Sequence, residues 1–476
     1  MRKLPIAVLA GAFAAASCAG GASPSSSTSV PPSTSSWTTS SAATSTTSAV
    51  TSTLPATTST STPTTTTTEP APTTTTATST LPGPEEGFPA ALPASRIPWG
   101  DVGAGWLLVR YEPAHTAGAG AEQGLFLIDP SDTTYFAAWW PTGERILDWS
   151  PEGRRVISYR EGALVVSDLR EGSAAAIPDA FYAGVGHDWE LPWARWARFT
   201  RPTGRDLVVR LVEWNQRARL EGLHTDGTRF APLVDLDLTP LVPDDNWLTL
   251  GLGINDLTWL YAESGTEVVV ATTEGLSLLS NAGALVRRLD TPGVGCLLSR
   301  WWDQGSVLAA CYEPDWVASP CWSRGGIGPG GGRILWAVPL NGSPATPLTE
   351  AVTCNPETGS PEHWAAYTDA VRVDGALALE SETCCMCGSQ LTFTAGDTVT
   401  AWDGFQGSPA CAPDLIGRRE DGLVVLDTMF DGQGRGLFGT VFQVALDGTI
   451  LYPITPFFPG DYGGVLQVFM TEQTVR

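Results

Sequence analysis

Lysine is almost missing from this chain: Lys3 is the single lysine among 476 residues. It lies in a short positive stretch at the extreme N-terminus. The body of the chain therefore has no side-chain amine for Schiff-base chemistry and no lysine for a phosphate-binding P-loop. Histidine is also scarce. His115, His187, His224 and His363 are scattered, and neither a G-x-S-x-G elbow nor an H-E-x-x-H pair occurs. Past the N-terminal segment there is no run of 18 apolar residues, so no helical membrane span is expected. An excess of positive charge is missing too. The formal net charge is −23, which repels phosphate backbones and anionic headgroups, so nucleic acid is not an expected partner.

What is there begins with an export signal. Arg2 and Lys3 precede an apolar stretch, Leu4–Ala16, and small residues follow. Ala15-Ala16-Ser17-Cys18 resembles the lipobox of bacterial lipoproteins, whose cysteine becomes the lipidated N-terminus. The resemblance implies a signal peptide over residues 1–17, lipidation at Cys18, and a membrane link made only by that anchor (residues 18–22). Ala15 stands where the family usually has Leu, which keeps plain secretion as the alternative.

Residues 23–85 read as a linker. From Ser23 to Pro82 the chain is almost wholly Ser, Thr, Pro and Ala, with Glu69 as its only charge. Such a segment buries too little apolar surface to offset chain entropy and is expected to be disordered. Fully extended, it would reach about 190 Å. A glycosylated stalk and a plain spacer are equally consistent with this composition.

Of nine cysteines, eight fall between Cys296 and Cys411. An even number in an exported chain reads as disulfides, with candidates Cys296, Cys311, Cys321, Cys354, Cys384, Cys385, Cys387 and Cys411. One pairing has geometric support. Cys296 and Cys311 flank a predicted hairpin near Asp303-Gln304 and would face each other across two strands.

Residues 86–476 form the expected folded body. Helical periodicity is scarce, whereas runs such as WLLVRY, RRVISY, EVVVATT and TVFQVAL alternate or are β-branched. Gly172, Gly227, Gly283, Gly342, Gly396 and Gly448 recur about every 50 residues, most in a strand–turn–strand frame, which marks stacked β-units. Trp149-Ser150-Pro151-Glu152-Gly153, followed by Arg154–Tyr159 and Ala163–Asp168, resembles a TolB-type (WD40-like) β-propeller repeat. Glu152 stands where that family has Asp, and only Ile146–Ile177 matches well.

The expected fold is therefore all-β: a propeller of seven four-stranded blades. Six blades carry the glycine hairpins, and an earlier hairpin around Pro130-Ser131 marks the first. Val465–Met470 is a strand left over, expected to complete the first blade and close the ring.

In such a ring, turns within strand pairs lie on one face and the remaining connections lie on the other. The first kind is short here, as at Pro151-Glu152-Gly153, Asp226-Gly227 and Asp447-Gly448. The second kind is long: Glu112–Gly124, Pro178–Pro192, Asp235–Asn246, Glu313–Gly332, Glu350–His363, Glu382–Ser389, Asp403–Asp414 and Asp427–Gly436. Long connections on a rigid scaffold commonly carry function.

On that face Trp189, Glu190 and Trp193 form a candidate ligand patch, aromatic rings beside a carboxylate; packing between blades is the competing reading. Cys384-Cys385-Met386-Cys387 contains a C-x-x-C but no helix to activate it and no histidine nearby, so structural disulfides are expected. Asp427–Gly434 is acidic and glycine-rich enough to suggest Ca²⁺. It lacks the ordered ligand spacing, so a solvated loop is expected, with no cofactor and no catalytic residue assigned. The expected role is a monomeric extracytoplasmic binding or scaffold module for an envelope protein or a cell-wall glycan. The alternative is a cell-envelope enzyme acting on carbohydrate as a glycoside hydrolase or lyase.

Overall fold

Alternating apolar residues and short polar turns produce one unit again and again, the four-stranded antiparallel meander. The computed structural model describes residues 88–113, 123–142, 144–160, 163–177, 197–201, 204–212, 217–226, 228–237, 259–261, 266–272, 275–280, 282–291, 294–312, 333–350, 366–373, 376–382, 389–395, 398–402, 413–419, 422–430, 436–455 and 464–471. The first three strands are β1 (Leu107–Glu112), β2 (Gln123–Ile128) and β3 (Thr134–Trp140). A four-stranded sheet follows: β4 (Arg145–Trp149), β5 (Arg155–Arg160), β6 (Ala163–Asp168) and β7 (Ser173–Ala176). The next comprises β8 (Ala197–Phe199), β9 (Asp206–Val212), β10 (Arg217–His224) and β11 (Arg229–Asp237).

Three more sheets of four come after these. They are β12 (Trp259–Tyr261), β13 (Glu267–Thr272), β14 (Gly275–Ser280) and β15 (Leu285–Arg288); β16 (Val294–Asp303), β17 (Ser306–Tyr312), β18 (Arg333–Pro339) and β19 (Thr346–Pro347); and β20 (Ala366–Val373), β21 (Ala376–Glu382), β22 (Ser389–Ala395) and β23 (Thr398–Ala401). The last strands are β24 (Pro413–Arg419), β25 (Gly422–Phe430), β26 (Gly436–Val444), β27 (Ile450–Pro453) and β28 (Gly464–Met470).

The closing strand falls where the sequence placed it. β28 runs antiparallel to β1, from Leu107↔Met470 to Glu112↔Gly464. It touches β26 through one pair, Gly439↔Val465. The eight-stranded sheet therefore divides there into two meanders, β24–β27 and β28-β1-β2-β3. Pairing the first and last strands removes a sheet edge that would otherwise recruit another strand.

The first strands of successive sheets approach one another: β28 to β4, β4 to β8, β12 to β16, β16 to β20, β20 to β24 and β24 to β28. Between β8 and β12 the link is Arg198, whose guanidinium lies 5.1 Å from the Trp259 ring centroid. That cyclic order is the order of a β-propeller. Its core is divided accordingly. One cluster joins Leu147, Ile157 and Leu164 to Phe199 and Leu207 of the next sheet. Another joins Val373 and Phe393 to Leu415 and Phe442. Each seam between sheets is a small core of its own, which lets a body of this size avoid one oversized interior.

Turn chemistry explains the recurring glycines. Gly172, Gly283, Gly342 and Gly448 all have left-handed φ, between 62° and 83°, between the third and fourth strands of their sheets. A polar residue just before several of the turns fixes the geometry. The carboxylate of Asp447 accepts the Thr449 N–H at 2.8 Å, that of Asp226 accepts the Thr228 N–H at 2.8 Å, and the Asn341 amide oxygen accepts the Ser343 N–H at 2.8 Å.

The TolB-like segment is built the same way. Ser150 Oγ accepts the Arg155 N–H at 2.8 Å, and the Gly153 N–H donates to the Ser150 carbonyl at 2.8 Å.

One feature was not legible beforehand. Residues 88–106 pass from the outer strand of the β28-β1-β2-β3 meander to its inner end, where the Gly105 N–H donates to the Thr471 carbonyl at 3.1 Å. Leu92 makes a parallel bridge to Tyr135 on β3, and Val102 packs against Gly153 of the neighbouring sheet.

Four expected boundaries need correction. The acidic stretch Asp427–Gly434 is not all loop: Asp427–Phe430 belongs to β25, and Asp427 is buried. Pairing with β26 continues as far as Phe430↔Gly436, so the ladder takes up residues that look loop-like by composition. Likewise Gly124 lies in β2, Asp235 in β11 and Asp414 in β24, which shortens those connections.

Candidate functional site

Strand direction sorts the connections onto two ends. Within a sheet the first and second strands are joined by residues 304–305 between β16 and β17, 374–375 between β20 and β21, and 420–421 between β24 and β25. At the other end the joins are longer: 178–196 leads into β8, 238–258 into β12, 313–332 joins β17 to β18, and 348–365 leads into β20. The asymmetry is partial: at the same end β5 and β6 are joined by 161–162 alone, and β13 and β14 by 273–274.

Cys296, near the start of β16, and Cys311, near the end of β17, lie towards the long-connection end and form a disulfide, with Cα atoms 4.1 Å apart. Cys18, Cys321, Cys354, Cys384, Cys385, Cys387 and Cys411 lie outside the described residues, as do Trp189, Glu190 and Trp193. His224 is described, and its Nδ1 lies 2.7 Å from Asp206 Oδ1 at the opposite, short-turn end.

The inner strands carry a girdle of polar side chains that bond across the seams. The Gln467 amide on β28 donates to the Ile146 carbonyl at 3.1 Å, and its oxygen accepts the Ile146 N–H at 3.1 Å. On β4, Asp148 accepts the Phe199 N–H of the next sheet at 2.8 Å. Each side chain does for a neighbouring strand what a backbone ladder would do, because the inner strands diverge too far to pair.

At the long-connection end of the first of these seams, Glu144 is buried. It accepts from Ser158 and from Arg160 Nε at 2.5 Å, while its carbonyl accepts from Trp140 Nε1 at 2.9 Å. Arg110 donates to that same carbonyl at 2.5 Å. Burial, and the charge of Arg145 beside it, hold the Arg110 guanidinium down to about 10.

The densest part of the girdle joins β16, β20, β21 and β24. Asp369 on β20 is gripped by Arg300 on β16, with Nε donating to Oδ1 at 2.8 Å and Nη2 bonding to Oδ2. The Ser299 hydroxyl also donates to Asp369. Arg300 Nη2 continues to the Leu415 carbonyl on β24 at 2.8 Å. On β21, Glu380 Oε2 accepts the Leu415 N–H at 2.8 Å, and Oε1 accepts the Thr368 hydroxyl at 3.1 Å.

Leu415 is therefore held at its N–H by one neighbour and at its carbonyl by another. Burial, then the charges of Asp414 and Asp369, push the Glu380 carboxyl up to about 8, against the bonds donated by Leu415 and Thr368, which favour its charged form. Both its oxygens already accept bonds from protein, so its first role is to position β24.

Sequence inspection missed this cluster. One signal was available: Glu380 sits inside the run Ala376–Glu382 at the same alternation as Ala378, an inward position. Among the described residues no group of three or more His, Cys, Asp or Glu side chains is arranged to hold a metal ion.

No family model matches the chain, and no curated protein matches it in sequence. In structure it is similar to TolB from Acinetobacter baumannii, at 11% identity over 78% of this chain and 67% of that one, with a TM-score of 0.36. It is similar to the β-propeller domain of the Trilobed protease from Pyrococcus furiosus, at 10% identity over 75% of this chain and 93% of that one, with a TM-score of 0.41. It is also similar to the Pyrococcus horikoshii acylaminoacyl peptidase, at 10% identity and a TM-score of 0.41. There the match covers 74% of this chain but only 51% of that one, about half its length.

Proposed function

We propose that this chain is an exported binding or scaffold module, held to a bacterial envelope by a lipid on Cys18. In this reading residues 23–85 space it from the membrane, and an envelope protein or a cell-wall glycan docks on the long-connection end. One observation carries it: the four longest connections, 178–196, 238–258, 313–332 and 348–365, all lie at that end, above strands tied to one another across the seams. Variable segments on a fixed scaffold are the usual form of a recognition surface.

The test is site-specific photo-crosslinking in the intact envelope. A crosslinking residue at Tyr159, exposed at the long-connection end of β5, should capture a partner. The same residue at Asp447, in a short turn at the other end, should capture none. Equal capture from both positions, or none from either, counts against the docking face. Metabolic labelling with a fatty acid, lost on Cys18→Ser, tests the anchor.

A second reading, an envelope enzyme acting on carbohydrate, is favoured by one observation. Asp369, Glu380 and Asp414 converge on one seam, and burial raises the Glu380 carboxyl, the direction a general acid needs. Turnover of a wall polymer that disappears in both Glu380→Gln and Asp414→Asn, with the fold intact, would favour this reading over the first.

A further inference from the structure

The aromatic core of the β28-β1-β2-β3 meander continues out to the surface. Tyr111 and Phe126 are fully buried, with ring centroids 6.1 Å apart. Phe136 meets Phe126 edge-on at 5.5 Å, and Trp139 meets Phe136 edge-on at 4.9 Å. Trp139 ends this run and is 41% exposed. A lone exposed apolar residue calls for no explanation, but an indole fixed by ring contacts from the core outward is a preformed platform.

A second ring holds the same indole. Phe88, the first residue described, lies 5.4 Å from Trp139 and 6.0 Å from Phe126. Its seat is built into β2. Gly124 pairs with Trp139 in the ladder, and a Cβ on Gly124 would lie 3.2 Å from the Phe88 ring and 2.6 Å from the Phe126 ring. The missing side chain is what admits Phe88.

These residues lie at the long-connection end, where β1 stops at Glu112, β2 starts at Gln123 and β3 stops at Trp140. The described body therefore begins at that end, against a partly exposed indole.

The residues that precede Phe88 are Leu81-Pro82-Gly83-Pro84-Glu85-Glu86-Gly87. At about 3.6 Å per residue or less, Pro84 can lie up to about 14 Å from Phe88 and Pro82 up to about 22 Å. Both can therefore reach a ring centred 5.4 Å from that of Phe88. Proline is suited to the contact: its φ is already fixed, its side chain loses little entropy on ordering, and proline-rich segments dock on aromatic surfaces. A tether this short also holds the segment at about millimolar effective concentration, which favours it over a separate molecule.

We propose that Leu81–Pro84 of this chain dock on Trp139, prolines against the indole, and fix the stalk to the long-connection end of the body. The stalk then leaves from the end that carries the four longest connections. Any competition there between stalk and ligand rests on the binding-module reading above; the docking itself does not.

Photo-crosslinking within the full-length Cys18→Ser protein tests this. Benzoylphenylalanine in place of Trp139 should link to residues 81–84, located by mass spectrometry after cleavage behind Glu85 and Glu86. Pro82→Ser combined with Pro84→Ser should lower that yield about fivefold or more, because only the proximity of the tether remains. Benzoylphenylalanine in place of Leu81 leaves the body untouched and should link to Phe136 or Trp139, with a yield that falls in Trp139→Ala. The same probe at Val399, exposed on β23 of another sheet, should leave residues 81–84 unlinked. Links from position 139 to residues 88–90 alone, to a second copy or to an envelope protein would overturn the proposal. So would a yield that the proline substitutions leave unchanged, or links from position 81 that fall elsewhere on the body.

Discussion

Arg419 and Asp132, far apart in the chain, meet at a guanidinium–carboxylate contact of 2.5 Å. Arg419 ends β24 with its side chain only 5% exposed, while Asp132 sits in the turn between β2 and β3 in a left-handed conformation, φ 65°. The same guanidinium donates to the Gly105 carbonyl at 3.2 Å and the Asp129 carbonyl at 3.1 Å. Three acceptors from the meander that contains the first and last strands, β1 and β28, or from the turn leading into it, thus converge on one arginine of its neighbour. Replacing Arg419 with Met should cost about 3–5 kcal/mol, the scale for breaking a buried charge pair. Chemical denaturation would show it as a lower midpoint with an unchanged slope.

Removal of Gly464–Arg476 takes away the inner strand of that meander. β1 then presents an unpaired edge, and the seam cluster loses Val465 and Val468. The truncated chain should lack a cooperative transition and should aggregate. A truncated protein that melts at the parent temperature would show that β28 does not close the ring.

At Gly153 two constraints coincide. Its φ is +70°, and a Cβ there would lie 2.2 Å from Val102 Cγ1. Gly153→Ala should destabilise by about 1–3 kcal/mol through backbone strain, with a further loss from the clash. Val102→Ala in the same chain should recover the clash but not the strain. Thermal melts of the two single variants and the double variant separate the two contributions.

The disulfide between Cys296 and Cys311 closes a loop of sequence separation 15 inside a buried cluster. Replacing both cysteines with Ala should lower stability by about 3 kcal/mol. Peptide mapping without reductant should recover the two cysteines as one linked species. Recovery of either as a free thiol would contradict the bond.

Stability should have two pH limbs. Glu380 is raised, so its folded form binds more protons than its unfolded form between its ordinary value and about 8. Its contribution is complete at acid pH and is lost as pH rises towards about 8. Asp129 and Asp168 are lowered. Burial opposes this in both, but hydrogen bonds from Ser131 and Thr133, and from Arg154, outweigh it. Their contribution is present above the ordinary carboxylate range and is lost below about pH 4. Urea denaturation across pH should therefore show a maximum on the acid side of neutrality, and Glu380→Gln should flatten only the alkaline limb.

Strands, turns and closure were readable in advance because their causes are local. Alternation decides which face of a strand is buried, Asp-Gly and Asn-Gly pairs decide where it turns, and one leftover strand at the end of the chain has one vacant place to fill. The Cys296–Cys311 bond was readable for the same reason, since both residues belong to one hairpin. Asp427–Phe430 is strand despite its loop-like composition, because pairing with β26 continues to Phe430↔Gly436.

By itself, the sequence determined an all-β repeat, because strands and turns depend on residues within a few positions of one another, and a closing strand, because Val465–Met470 follows the last hairpin while the first unit is one strand short. Only the tertiary structure decided that Glu380 and Arg300 would seize opposite ends of Leu415, that Arg419 would reach Asp132, and that Val102 would pack against Gly153. Those contacts join residues from different sheets. The charges involved have no local cue to their partners, and their free energies depend on burial that exists only once the ring is formed.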